Sequence, residues 1–374
     1  MQRRLPAELE DTVIDFSHTD VKTLATCGLV CRSWRPASRY HLFSSVFLTG
    51  QNAVRFAELL KTPATTTNSN IAHHVRDVQL RFSDATLPLL LPLLAALPRT
   101  TRIAFRPARD EIARTLTPAL LHPLVPRLPI EHLVFDFKSR FDSLKQVIDC
   151  VSLCPRLVSL ELGGSWLRMG DFTYGPGMRV NAQLPPNLRA LTLTCDLDYI
   201  LNWLLQLEGH GPAIEQLQLH HIVRREVPAI VAYLEHAGPG LESLALLFRD
   251  NDAPDRLANK IDLSHAPNLL KLALEGTGPS ILACLLKLSR QSCSSTRKLE
   301  RISLTLRHAS YYPDAMRLME EFPWAQLDEA VMALPGLRRL DVVAADPLTR
   351  HPLPQVKAFM LQRLPRACGA GIAC

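Results

Sequence analysis

The sequence is poor in aromatic residues, which make up 6% of it, and has no long unbroken apolar run. Packing must therefore fall to aliphatic side chains, mostly Leu. That argues against a sandwich, whose strands favour aromatic and β-branched residues, and for helical bundles or stacked repeats. The most apolar stretch, Leu87 to Leu97, is too short to span a bilayer and is broken by Pro88 and Pro92, so a soluble protein with no membrane partner is expected. Concentrated charge is also lacking. The net charge of +6 is spread over 42 basic and 36 acidic residues, with no run of five Lys or Arg and no alternation of basic with aromatic residues. Nucleic-acid binders usually gather charge on one face or arm, so nucleic acid is not an expected partner. The nine cysteines show no paired close spacing, and no apolar segment follows Met1-Gln2-Arg3-Arg4. This predicts no secretory signal and reduced thiols in a cytoplasmic or nuclear protein.

The residues that carry chemistry do not assemble into a recognisable site. His73-His74 and His220-His221 are adjacent pairs, which rarely ligate one metal together. Cys150 and Cys154 have helical spacing but no His or Cys cluster to complete a tetrahedral zinc site. Cys27 and Cys31 read as small buried residues. Gly163, Gly164, Gly170, Gly175 and Gly177 follow a strand pattern but lack the Gly-Lys-Ser/Thr ending of a phosphate loop. With no nucleophile elbow, no paired catalytic carboxylates and no cofactor fingerprint, the chain is expected to be no enzyme, with neither metal nor cofactor.

What is present is apolar material, 47% of 374 residues, enough for a small module and a larger repeat domain. Residues 5 to 43 read as three short helices. Pro6 suits a helix start, with acids in the first turn. Leu9, Val13 and Phe16 recur at i, i+4 and i+7, with Ile14 widening the stripe. Thr19-Asp20 supplies an N-cap for the second helix, which carries Val21 and Leu24. The third is expected over Leu29 to Leu42, with Val30, Trp34 and Tyr40 inward and a kink or break at Pro36. Some forty residues cannot enclose a core alone. The apolar surplus marks either a partner surface or helices that cap the rest of the chain.

From residue 75 onward a core recurs: apolar, two variable, Leu, one variable, Leu. Its central positions are 78, 103, 133, 160, 191, 217, 244, 272, 302 and 340, so the separations are 25, 30, 27, 31, 26, 27, 28, 30 and 38. Such a period with this core is the signature of a leucine-rich repeat, one strand and one return helix per unit. Pro98, Pro155, Pro186, Pro212, Pro239, Pro267 and Pro335 each stand two residues before the first core position, where Pro ends a helix before the next strand. The Asn or Cys that usually follows the strand is replaced by Ser165, Asp196, Ile222, Arg249 or Thr277, so variable turns are expected. Val46-Phe47-Leu48 reads as a first strand, Asn52 to Leu60 as its helix, and Lys61 to Asn70 as an exposed loop. Residues 311 to 333 read as two helices, and Gln355 to Leu364 as a final capping helix.

Leu5-Pro6-x-Glu8-Leu9, Ile14, Val30-Cys31-Arg32-x-Trp34 and Tyr40-x-Leu42-Phe43 together resemble the F-box motif, with the closest likeness to the large fungal F-box families. The likeness covers about forty residues; His18 stands where Leu is common, and Gly28 loosens the entry to the third helix. It implies binding to a Skp-type adaptor, and through it a cullin, with Leu5, Pro6, Leu9, Ile14, Val30, Cys31, Trp34 and Leu42 as the contact or its immediate support. The fold class expected is α/β: a three-helix F-box over 1–45, then an irregular leucine-rich-repeat solenoid of about ten or eleven repeats over 46–350, and a cap and tail over 351–374. Parallel strands would line the concave face and helices the convex one. The function implied is substrate recognition in a Skp–cullin–F-box ubiquitin ligase; the alternative is a repeat scaffold acting outside ubiquitination. A target protein would meet the residues between the buried strand positions, with Gln218, His220, Lys271, Arg301 and Arg339 as candidates. The long turn from Gly163 to Leu184 adds Trp166, Arg168 and Arg179.

Overall fold

The computed structural model describes residues 6–61, 71–83, 85–107, 121–122, 128–136, 144–163, 184–194, 197–207, 212–248, 260–290, 298–306, 320–344 and 362–372. They belong to two compact units, 1–187 and 188–374.

The first unit opens with three helices, α1 (Ala7–Asp15), α2 (Val21–Val30) and α3 (Trp34–Ser44). Asp20 caps α2 by accepting the amides of Lys22 at 3.0 Å and Thr23 at 3.1 Å. The expected boundary between the second and third helices is corrected. Leu29 and Val30 complete α2, and the chain breaks at 31–33 rather than at Pro36. Pro36 falls in the first turn of α3, where the missing N–H would have had no helical partner anyway. Gly28 consequently lies inside α2, where it faces Ser38 of α3. Ile14 of α1 and Leu24 of α2 are completely buried.

Strand and helix then alternate: β1 (Ser45–Thr49), α4 (Ala53–Lys61), β2 (Asp77–Phe82), α5 (Leu87–Ala95), β3 (Arg102–Pro107), β4 (His132–Phe135), α6 (Leu144–Ser152) and β5 (Ser159–Leu162). Neighbours in sequence are neighbours in the sheet, all parallel, with Val46, Val78, Ile103, Leu133 and Leu160 in one register row. Asn52 closes the turn after β1 by accepting the Thr49 amide at 2.7 Å and donating to the Phe47 carbonyl at 2.8 Å. Three of the scarce aromatics stand in neighbouring strands here: Phe82, Phe105 and Phe135 are buried, and Phe105 stacks on its register partner Phe135 at 5.6 Å.

The second unit contains β6 (Ala190–Leu193), α7 (Leu197–Leu205), β7 (Gln216–Ile222), α8 (Val227–Ala237), β8 (Ser243–Phe248), β9 (Lys271–Gly276), α9 (Gly278–Arg290), β10 (Arg301–Leu306), α10 (Trp324–Met332), β11 (Arg339–Ala344) and the short α11 (Pro365–Gly369). Its strands are again parallel and sequential, with Leu191, Leu217, Leu244, Leu272, Ile302 and Leu340 in one buried row. All ten central positions expected from the sequence are buried.

The prolines do more than end helices. Pro98, Pro155, Pro239, Pro267 and Pro335 each occupy the second position of a four-residue turn. The amide of the fourth residue, which is the first core position, bonds the carbonyl three residues back at 3.0–3.2 Å. Pro presets the backbone angle that this turn position requires. Immediately afterwards, one carbonyl accepts two successive amides of the next repeat. Glu242 O, for example, takes Leu270 N at 2.8 Å and Lys271 N at 3.0 Å.

Two expected helical regions are described only in part. The capping helix expected over Gln355 to Leu364 lies mostly outside the described residues, of which 362 and 363 are helical; α11 follows it, and its first amides, Arg366 and Ala367, donate to the buried Asp328 carboxylate at 3.1 and 2.9 Å. Asp328 thus supplies from α10 the N-terminal partners that α11 cannot make for itself. Of the two helices expected over 311 to 333, α10 is described, whereas residues 311–319 lie outside the described residues, as does the expected loop from 62 to 70. Glu226, also buried, accepts Val223 N at 3.0 Å and Leu197 N, the first amide of α7, at 3.3 Å.

Gly238 sits where a Cβ would come 2.4 Å from the His265 carbonyl oxygen of the next repeat. Gly238→Ala must therefore push backbone apart and is expected to cost about 1–3 kcal/mol, read as a lower urea midpoint at unchanged m-value. Burial holds the Glu226 carboxyl above its ordinary range, against the lowering effect of its two amide bonds. The folded state then keeps the proton to higher pH than the unfolded chain does. This carboxyl's contribution is full below the unfolded value near 4.5 and is lost as pH rises through the folded one. Urea titrations across that window are expected to show this loss in the wild type, and a shallower dependence in Glu226→Gln.

Candidate functional site

Two surfaces stand out, one in each unit. The first is the face of α1–α3. Each helix carries more apolar side chain than its neighbours can cover, because Ile14 and Leu24 already fill the small core. Leu9, Val13 and Phe16 stay outside, Phe16 at 83% exposure, as do Val21, Leu29 and Val30, with Leu29 at 84%. Of the thirteen large hydrophobics that are exposed among the described residues, seven lie between residues 6 and 44. Single exposed apolar residues are ordinary, but a cluster on one small module is the mark of an interaction surface.

Of the eight N-terminal residues singled out from the sequence, Leu5 lies outside the described residues. Pro6, Leu9, Val30 and Cys31 are exposed, Trp34 and Leu42 are partly buried, and Ile14 is buried. Val30 and Tyr40 do not point inward as expected: both are exposed, Val30 as the last residue of α2 and Tyr40 within α3, where its ring lies edge-on to His41. Cys31 is exposed rather than buried, and Cys27 is only partly buried. The periodicity showed that an apolar stripe exists on α1 but not which way it faces. Val13, Phe16, Val21 and Leu29 are the exposed large apolar residues that the motif positions left out.

The link between α2 and α3 is held in place. Ser33 donates to Glu10 of α1 at 3.0 Å, and the Cys31 sulfur lies 3.1 Å from the Ser33 hydroxyl. The Ser33 hydroxyl, then the Trp34 amide, hold the Cys31 thiol below its ordinary range. Asp15 of α1 meets His41 Nε2 of α3 at 2.6 Å, and Tyr40 lies edge-on to His74 at 6.1 Å.

The second surface is the open face of the second unit's strands. Alternation along each strand leaves every second residue outward. Lys271, Arg301 and Arg339 fall in one register row on β9, β10 and β11. Asp341, two residues on from Arg339, takes both guanidinium groups: Arg301 Nη2 at 2.8 Å and Arg339 Nη2 at 2.9 Å. Both arginines were legible from the sequence, but Asp341 as their shared clamp was not, because that role depends on the cross-strand register. Gln218 is exposed one row further along, on β7. His220 is half-buried at a register shift, where pairing skips from Leu219 to Ile222 and His221 takes a left-handed φ of 56°. Trp166, Arg168 and Arg179 lie outside the described residues. Among the described residues no group of three or more His, Cys, Asp or Glu could hold a metal, and no helix is long and apolar enough to cross a membrane.

No family model matches the chain, and no curated protein matches its sequence. Among solved structures 27 chains match. One is the leucine-rich repeat-containing protein LegL7 from Legionella pneumophila, 16% identical, with 86% of this chain and 98% of that one covered at a TM-score of 0.52. At that identity the likeness establishes the leucine-rich-repeat fold.

The cysteines give a direct check on this description. Burial pushes the Cys150, Cys154 and Cys284 thiols up to about 12, while Cys31 is exposed and lowered. Brief iodoacetamide treatment of the folded protein near neutral pH, followed by peptide mapping, is expected to modify Cys31 and spare those three.

Proposed function

We propose that this chain is the substrate-recognition subunit of a Skp–cullin–F-box ubiquitin ligase. The N-terminal helices hold a Skp-type adaptor, and through it a cullin, while the repeats hold a target protein. The observation that carries this reading is the apolar cluster on α1–α3, which leaves Leu9, Phe16, Leu29 and Val30 in solvent. The motif Leu5-Pro6-x-Glu8-Leu9 with Val30-Cys31-Arg32-x-Trp34 supports it independently, because these are the residues by which an F-box is known. Ubiquitin transfer itself belongs to other subunits in this scheme. The chain contributes by keeping a target near the transfer machinery, which raises effective concentration without chemistry of its own. Leucine-rich repeats suit the second task because a sheet face with mixed polarity can accommodate a protein surface.

The test is co-expression of the full chain with a Skp-type adaptor, comparing wild type with Leu9→Asp and Val30→Asp. Both side chains are exposed, so the substitutions spare the core. Wild type is expected to co-purify with adaptor and to support cullin-dependent ubiquitination of a bound protein. Each variant is expected to lose adaptor affinity by at least about thirtyfold, the scale of a buried hot spot at roughly 2 kcal/mol. Wild type that purifies alone, or variants that bind adaptor equally well, would sink the reading.

A further inference from the structure

The open face of β8–β11 has a shape and a charge pattern that together select a ligand. On β8, β9 and β10 its middle row is built from small side chains, the register neighbours Ala245, Ala273 and Ser303, and Asp341 ends that row on β11. Beside the long side chains of the row before it, these short ones make the floor of a shallow trough across the strands, by side-chain size and register. Lys271, Arg301 and Arg339 make one wall. The other wall is largely uncharged, with Leu247, Thr305 and Val343 two positions further along their strands and Glu275 among them. Adjacent strands are roughly 4.8 Å apart, so the three cations span roughly 10 Å.

The arginines are also preorganised. Asp341 fixes both guanidinium groups through their Nε and Nη2 atoms, at 2.8 to 3.1 Å. Each guanidinium is thus held along its Nε–Nη2 edge, and little side-chain entropy remains to be lost on binding. The Asp341 carboxylate against two guanidinium groups and an ammonium leaves these four groups with a formal charge of +2. All three cations are exposed.

We propose that this trough binds an extended peptide segment that presents two anionic side chains, carboxylate or phosphoryl, to Lys271, Arg301 and Arg339. The proposal rests on the reading that the repeats hold a target protein, and it names the chemical class of that target. Two acidic side chains one residue apart on an extended chain project to the same side, roughly 7 Å apart, within the reach of the three cations. The small floor lets the peptide backbone approach, and the apolar part of the opposite wall takes the side chain that points the other way.

The test uses the full chain and three pools of short fluorescent peptides, degenerate except for a fixed pair: Glu-x-Glu, phosphoserine-x-Glu or Gln-x-Gln. Anisotropy is expected to show both acidic pools binding about tenfold or more tighter than the Gln pool, with the preference weakening as salt rises. A tighter phosphoserine pool assigns the site to a phosphorylated segment; equal acidic pools assign it to a carboxylate. Lys271→Gln and Arg301→Gln are each expected to remove most of the preference. Lys271 holds no ion pair among the described residues, so its substitution leaves the sheet intact, and an unchanged melting curve checks this. Equal binding of all pools, no binding of any, or a preference that survives both substitutions overturns the proposal. Adaptor capture is measured on the same preparations. A wild type that fails to capture adaptor but keeps the acidic preference removes the ligase reading alone. A chain that captures adaptor but ignores charge removes the peptide proposal alone.

Discussion

One hydrogen-bonded fork organises the repeats. The carbonyl just before each strand accepts two successive amides from the start of the next strand, three times in the first unit, at Arg76, Thr101 and Glu131, and five times in the second, at Arg189, Glu215, Glu242, Leu270 and Glu300. Parallel strands cannot be joined by a hairpin, so each needs a return segment that brings the chain back in register. The fork supplies that register from the backbone alone. It works with any side chain at that position, which is why Arg, Thr, Glu and Leu all serve. The usual ladder of turn asparagines can therefore be missing without loss of order, and the strands still align Leu against Leu.

The fork sets the demand for tight turns, and proline meets it. A turn that closes on the first core position must be short and fixed in direction, and Pro at its second position is the residue with the least freedom to lose. The same closeness explains Gly238, which passes the His265 carbonyl with no room for a methyl group. Where the next element is only a few residues long, as with α11, a buried carboxylate from a neighbouring helix makes the missing bonds.

Register also creates the surfaces. Once inward positions are taken by Leu, the outward ones are stacked in rows whatever their chemistry, and Lys271, Arg301 and Arg339 become neighbours although they lie 30 and 38 residues apart in sequence. The N-terminal helices obey the opposite logic. They are too few to shelter their own apolar residues, and what they cannot bury remains on the outside as Phe16, Leu29 and Val30. Thus the repeats present polar chemistry in order, and the helices present apolar surface in excess.

Most of the repeat architecture was legible in the sequence, because a spacing of 25 to 38 residues, with Pro two positions before the first core position in most repeats, is written directly into the order of side chains. Strand direction, the inward row and the turn sites follow from spacing and from the backbone restrictions of Pro, which are local. What the order of residues could not determine is where a surplus goes. Whether Val30 and Tyr40 turned inward depended on how the three helices pack, and Val30 ends α2 just before the break at 31–33, ahead of where Pro36 suggested it. Pro36 looked like a helix breaker but fell in a first turn, where a missing N–H costs nothing. Likewise Asp341 reads as one more outward acid until the register sets Arg301 beside it. Spacing along the chain fixes which residues alternate; only pairing across the chain decides which charges meet and which apolar residues stay in water.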